Sequence, residues 1–420
     1  MLKPVNKSIM SNSFWLMVVH LLGYIVPVVE MAILGRALGP DGYGFIVVSL
    51  SAVLLMSVFV EYGFNLIGAR EVARLKPDDP ALAVWVGDIF TAKMMLSLLV
   101  AFSVAAAFLM GLIERISVEY LPPLVLYFLG LAFSPFWFFH GMNMMLKPVF
   151  LNIILRFVSL YALWCLVEAP DDILLALYIM ALSGFINAIV TTAWMLCKIK
   201  SIFDVKIRIR SAVKIIASGF SAFLYKGSQD FSAAGSVVVL GGVSGDLQAG
   251  YYAPVDKLVR SATGLSGPIL TALYPHLSVQ SKLQAIHKGL LISVAFFLMG
   301  VVGSLIFMFA GAWLVELIVG SDFSESSYLI SAFALLIPFR MMNQSLGMTI
   351  LLPVGKELVG ARLLVAAAIG VLAIGGYVAS HTGAYGMVLT QLILEFFLCI
   401  SLLLSVYFIR KAAAKTECNT

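Results

Sequence analysis

Polarity changes slowly along this chain. Twelve apolar stretches fill almost all of its 420 residues, joined by short loops that are basic and acidic in turn. A helix needs about 20 apolar residues to cross a hydrocarbon core about 30 Å thick. On that measure the pattern predicts membrane-spanning helices near 13–35, 44–66, 88–112, 121–145, 149–168, 172–197, 213–239, 250–275, 288–312, 326–350, 361–380 and 384–409. The fifth is the least regular, because Lys147-Pro148 interrupts its start and Arg156 sits inside it. The expected fold class is an all-α polytopic membrane protein of twelve transmembrane helices.

The loops also predict orientation, since short cytoplasmic loops collect Lys and Arg. One set, including both termini, holds nineteen of the 27 cationic residues, among them Arg70, Arg74, Lys147, Lys198, Arg208, Lys282, Lys356 and Arg410. The other set holds only Arg36 and Arg115, with acidic residues such as Asp41, Asp171, Asp172 and Glu316. Both termini are therefore expected in the cytoplasm. The net charge of +5 becomes a property of the inner surface, facing anionic lipid headgroups, and no nucleic-acid partner is expected.

Composition agrees: 61% of residues are hydrophobic and 12% charged, too few charges to cover a soluble domain of this size. The start of the chain, with Lys3 and Lys7, has a signal peptide's basic flank. The apolar run after it exceeds a signal peptide's core of about 7–15 residues, so it reads as the first span. The most basic loop, between spans six and seven, divides the chain into a six-helix lobe at 1–200, a cytoplasmic linker at 201–212 and a second six-helix lobe at 213–420. That layout suits a transporter, many of which bind substrate where two such bundles meet.

No enzyme motif stands out. The five histidines are scattered, and no Walker loop or dinucleotide fingerprint is present. The four cysteines form no CxxC pair. No catalytic residue, metal or cofactor is expected.

Ionisable residues inside the spans carry the candidate chemistry, because a charge at bilayer depth needs a partner or a wet cavity. Glu30, Glu61, Asp88 and Lys93 lie near span ends, where snorkelling is the expected outcome. The deeper set is Arg156, Lys226, Asp230, Asp256, Arg260, Arg340 and Glu395. Lys226 with Asp230, and Asp256 with Arg260, have i,i+4 spacing and share a helix face. Two readings follow. The pairs neutralise each other so that spans seven and eight cross cheaply, or they line a polar cavity. In the second case Arg156, Lys226, Arg260 and Arg340 bind an anionic substrate, and Asp230, Asp256 and Glu395 take a coupling ion. Arg340 and Arg156 have no opposite charge at i±3 or i±4, so each needs a partner from another helix or a ligand.

Several motifs carry a family resemblance. Gly35-Arg36-Ala37-Leu38-Gly39-Pro40-Asp41-Gly42-Tyr43-Gly44 resembles the first-loop signature of the polysaccharide-transport family, the O-antigen (Wzx-type) flippases. Glu61-Tyr62-Gly63-Phe64 followed by Ala69-Arg70-Glu71-Val72-Ala73, and Pro135-Phe136-Trp137-Phe138-Phe139-His140-Gly141, are similar to its span-two and span-four motifs. The chain departs from the latter with His140 and Asn143, where Gln and Glu are common. Ala249-Gly250-Tyr251-Tyr252-Ala253, Asp256-Lys257-Leu258 and Ala272-Leu273-Tyr274-Pro275 resemble its span-eight pattern.

The resemblance implies two six-helix lobes around a central cavity that alternates in access. It implies a flippase that moves a polyprenyl-pyrophosphate-linked oligosaccharide from the cytoplasmic to the periplasmic leaflet of a bacterial inner membrane. With no ATP-binding motif, uphill movement is expected to draw on an ion gradient or the membrane potential. Its partners would be that substrate, membrane lipids and the polysaccharide polymerase machinery. Two alternatives stay open. One is a cation-coupled small-molecule or multidrug exporter of the same superfamily, in which the carboxylates would matter more than the arginines. The other is a non-transporting scaffold, against which the deep charges argue.

Overall fold

The structure, a computed structural model of the chain, describes residues 7–76, 79–111, 116–199 and 207–417. The side chains of 7–22, 24, 221, 222, 225, 226, 228, 229 and 414–417 lie outside the description. The described residues are helical and contain no strand. In chain order the α-helices are α1 (Lys7–Glu61), α2 (Phe64–Val72), α3 (Pro80–Leu109), α4 (Leu121–Ala132), α5 (Phe136–Gly141), α6 (Leu146–Leu166) and α7 (Ile173–Leu196). They continue with α8 (Ile209–Ser244), α9 (Asp246–Gly264), α10 (Ser266–Ser278), α11 (Lys282–Val319), α12 (Ser327–Leu346) and α13 (Glu357–Glu417).

Eight stretches of the described residues are long and apolar enough to cross a membrane. Two expected spans merge in each of the two longest. There the helical run is broken by a single glycine with positive φ, Gly39 at 68° in α1 and Gly383 at 63° in α13. The expected spans at 213–239 and 250–275 are helical but interrupted by charge. The second also splits at Leu265, between α9 and α10. Span four breaks too. α4 ends at Ala132, and the chain passes through Phe133–Pro135 before α5, since proline cannot donate into the turn before it.

Two compact units arise: Met1–Phe45 with Val239–Thr420, and Ile46–Val238. In the first unit α11 shows how a helix suits lipid. Leu298, Val302, Leu305, Phe309 and Trp313 are exposed, while the opposite stripe, Gly300, Ser304, Phe307 and Gly311, is buried. Small residues let backbones approach closely where no hydrophobic drive separates protein from lipid tails. A Cβ on Gly300 would lie 2.5 Å from Pro338 Cα of α12.

The first-loop motif serves this unit's packing. One turn before the break at Gly39, Arg36 reaches the end of α11, where its Nε donates to Ile318 O at 3.0 Å and its Nη2 to Leu317 O. Those carbonyls are among the last four of a helix and have no partner within it. A cation there also meets the negative end of the helix dipole. Gly44 and Gly250 make reciprocal backbone contacts, since a Cβ on Gly44 would strike Asp246 O and one on Gly250 would strike Pro40 O.

In the second unit, Trp137, Phe138 and Phe139 of the span-four motif are buried against Phe64, Val86, Ile89 and Ile215. The Glu61-Tyr62-Gly63 motif makes the turn from α1 to α2, with Tyr62 at φ 41° and Gly63 at φ 74°. Two residues expected to snorkel are in fact buried. Lys93 is 1% exposed, and its Nζ donates to Ala132 O at 2.7 Å, at the broken end of α4. Asp88 is 3% exposed and accepts a two-pronged bond from Arg208, with Nε to Oδ1 at 3.0 Å and Nη2 to Oδ2. Hydropathy set both near a helix end, but packing of α3 against the aromatic cluster removes their path to water.

Candidate functional site

Three helices of the first unit bring four deep charges together. Tyr252, Asp256 and Arg260 recur every four residues on α9 and so share one face. Arg340 lies on α12, and Gln391 and Glu395 lie one turn apart on α13. Arg260 Nε donates to Asp256 Oδ2 at 2.6 Å. The other oxygen of Asp256 lies 3.5 Å from Arg340 Nη1. Arg340 Nε is 3.6 Å from Glu395 Oε1, and its Nη2 donates to Gln391 Oε1 at 3.0 Å. Gln391 in turn donates from Nε2 to the Tyr252 hydroxyl at 2.6 Å. Asn343, one turn beyond Arg340, donates from Nδ2 to Glu395 Oε2 at 2.7 Å and to the Glu395 carbonyl at 3.0 Å.

The cluster thus holds two guanidinium and two carboxylate groups, and its formal charge is zero. Ion pairs away from water survive only when desolvation is offset by good geometry and further hydrogen bonds. Gln391, Tyr252 and Asn343 supply those bonds. Two buried atoms remain without a partner, Arg260 Nη2 and Asn343 Oδ1. One is a donor and the other an acceptor, so a ligand offering an anionic oxygen would satisfy the first. The Arg260 side chain is 34% exposed and that of Arg340 is 11% exposed, so Arg260 is the more accessible.

The remaining expected residues lie elsewhere. Asp230, in the second unit, is half-buried and lines a small pocket with Val58, Glu61, Gly63, Phe223 and Gly227. Glu61 there accepts from Asn65 Nδ2 at 2.7 Å, and Tyr62 stacks on Phe223 with ring centroids 4.7 Å apart. The side chain of Lys226 lies outside the described residues. Arg156, also in the second unit, is exposed, with Nε 3.3 Å from Asn152 Oδ1. It shares its helix face with buried Leu160 and Leu163, at i+4 and i+7. The exposed apolar residues of α6, Phe150, Phe157, Tyr161 and Trp164, lie about 80–140° round the helix from it.

Reading the sequence for charge missed Gln391, Asn343 and Tyr252, because neutral side chains leave no mark in a hydropathy profile. The four-residue spacing of Tyr252 from Asp256, and of Gln391 from Glu395, was the available signal. The partner that Arg340 required from another helix is there, supplied by α9 and α13.

Comparison with known proteins shows the family and the fold. A family model described as "Polysaccharide biosynthesis protein" matches residues 9–281. A protein of Shigella dysenteriae named "Putative O-antigen transporter" is 25% identical over 398 residues, 94% of this chain and 99% of its own length. A protein of the same name from Escherichia coli (strain K12) is 24% identical over 368 residues, 86% of this chain and 87% of its own. Among solved structures, the inward-facing conformation of a multidrug resistance MATE family transporter of the MOP superfamily aligns with a TM-score of 0.59 at 15% identity. That alignment covers 93% of this chain and 95% of the other, and it shows a shared fold. The resemblance carried by the first-loop and span-eight motifs is borne out: the chain is a multi-pass membrane protein and belongs to the polysaccharide biosynthesis protein family.

Proposed function

We propose that this chain is a flippase for a polyprenyl-pyrophosphate-linked oligosaccharide, an O-antigen-type repeat unit. It moves that substrate from the cytoplasmic to the periplasmic leaflet of a bacterial inner membrane. On this reading it spans the membrane twelve times as two six-helix lobes with both termini in the cytoplasm. It works by alternating access and draws on an ion gradient. One observation supports the reading above the others: the two arginines held by Asp256 and Glu395, with a buried guanidinium nitrogen of Arg260 left over. A planar fork of donors matches phosphate oxygens. The relatives named as O-antigen transporters point the same way. Arg156, exposed beside Asn152, is proposed as a substrate-binding residue of the second unit.

The test is transport of a fluorescent lipid-linked oligosaccharide across proteoliposomes, run beside a drug-resistance assay in cells lacking the gene. Transport without resistance is expected. Resistance without transport would sink the proposal in favour of the second reading, a cation-coupled exporter. The observation behind that reading is the pocket of Asp230 and Glu61 with its aromatic wall, a setting that suits an organic cation.

The carboxylates give a second expected result. Asp230→Asn with Glu395→Gln should leave the protein in the membrane, yet reduce gradient-driven transport to a small fraction of wild type. Passive equilibration of the substrate should fall less. Full gradient-driven activity in the double variant would remove both carboxylates from coupling.

A further inference from the structure

We infer, on the basis of the flippase reading, that the first unit carries a separate subsite for the sugar end of the substrate. It is an aromatic platform of Tyr251, Tyr328 and Tyr385, with Gln248, Asp322 and Glu325 around it. It takes neutral pyranose rings of an oligosaccharide and rejects acidic ones.

The platform closes one end of the junction of α9, α12 and α13 that holds the charge network. Gln248 lies one turn before Tyr252, so it continues the α9 face of Tyr252, Asp256 and Arg260. Its Oε1 accepts from the Ala384 backbone N–H at 2.9 Å and from the Tyr328 hydroxyl at 3.3 Å. One side chain thus ties all three helices together. The chain of α13 passes close to Gln248 at its break, where a Cβ on Gly383 would stand 2.5 Å from Gln248 Oε1. Two residues on, the ring of Tyr385 lies 6.3 Å from that of Tyr328, tilted by 47°. Asp322 and Glu325, in the segment before α12, are exposed and within electrostatic reach of Tyr251.

The groups left over here suit a sugar. Tyr328 is 41% and Tyr385 39% exposed, so each keeps part of its ring open. A pyranose can lay its C–H face on the electron-rich face of such a ring. Gln248 Nε2 and the hydroxyls of Tyr251 and Tyr385 have no hydrogen-bond partner among the described residues. The two carboxylates can accept charge-assisted bonds from sugar hydroxyls. A few convergent polar groups beside an apolar surface are what orients a ligand. A lipid-interface role explains less. Tyrosines of a membrane belt sit at headgroup level, and Asp322 and Glu325 would repel headgroup phosphates. Arg36 does not offset those carboxylates, since it is engaged by the last carbonyls of α11.

Spacing sets what reaches the platform. Gln248 is twelve residues before Arg260, and Tyr385 ten before Glu395, which is about 15–18 Å at the helical rise. A pyrophosphate on the Arg260 fork leaves its first sugar short of the tyrosines, and only an oligosaccharide spans the gap. The carboxylates repel the pyrophosphate, so the substrate binds in one direction. A uronic acid at the remote end is rejected for the same reason.

The experiment is calorimetric binding to the full chain in nanodiscs. One probe is geranylgeranyl pyrophosphate carrying a single N-acetylglucosamine, and a second carries a linear tetramer of that sugar. Wild type should bind the tetramer probe about tenfold tighter, the scale of one or two ring contacts. Tyr328→Ala/Tyr385→Ala should shrink that advantage below about twofold, while Gly242→Ala keeps it. A third probe replaces the last sugar of the tetramer with galacturonic acid, and wild type should bind it about fivefold more weakly than the neutral tetramer. Asp322→Asn/Glu325→Gln should abolish that difference. It alters exposed side chains alone, which keeps the test open if the tyrosine variant does not reach the membrane. Equal affinity of wild type for the one-sugar and four-sugar probes, an undiminished advantage in the tyrosine variant, or unchanged rejection of the acidic probe in the carboxylate variant would each overturn the subsite while leaving the flippase reading intact. Failure of wild type to bind any of the probes would overturn both.

Discussion

Arg340→Ala should remove most surface polysaccharide at matched membrane levels, and more of it than any other single change in the network. Arg340 joins three helices through Asp256, Glu395 and Gln391, and its side chain is only 11% exposed. Removing one partner of a buried ion pair costs about 3–5 kcal/mol, because the other charge stays buried without compensation. Arg340→Lys should keep part of the activity, since the charge remains while the fork is lost. Arg260→Ala should also lose most flipping, for a different reason. Its Nε holds Asp256, but Arg340 is still present to hold that carboxylate.

The double variant Asp256→Ala/Arg260→Ala separates packing from ligand contact. It leaves Arg340 with Glu395 and Gln391, a balanced remainder. Restored polysaccharide would make Arg260 a neutraliser of Asp256 and nothing more. Continued loss, with the protein stable in the membrane, is the expected result and leaves Arg260 as a contact to the phosphate.

Gly250→Val should prevent the protein from accumulating. A Cβ at Gly250 would collide with the Pro40 carbonyl, and one at Gly44 with that of Asp246. Overpacking a core costs about 1–3 kcal/mol when side chains can move aside. Here the obstacles are main-chain carbonyls at the turn broken by Gly39, so the effect should reach the upper end of that range or beyond. Gly44→Val should behave alike. Gly242→Ala is the control, with nothing within 4 Å of its Cβ position. It should change stability by no more than about 0.5 kcal/mol. Membrane levels and thermal unfolding of the purified variants would decide, and wild-type levels of Gly250→Val would refute the close approach.

Much of this protein was legible in the amino-acid order alone. Helix, membrane and approximate span positions follow from runs of apolar residues, because in lipid every backbone group must be satisfied within the segment. The Asp256–Arg260 pair followed from i,i+4 spacing, a distance set by the helix itself. The need of Arg340 for a partner on another helix followed from the same arithmetic, as an absence. Local geometry does not choose among distant partners, however. That Asp256 is shared by Arg260 and Arg340, that Glu395 is the other acceptor for Arg340, and that Gln391 joins Arg340 to Tyr252 depend on how α9, α12 and α13 pack. Lys93 and Asp88 make the same point from the other side, since hydropathy counts position along a helix and not which face is covered. The sequence determined which charges lie within apolar stretches. Tertiary packing decided which of them meet, because helix-to-helix contacts are fixed by close approach at small residues such as Gly300 and Gly250, and those contacts join positions on different helices that are far apart in the chain.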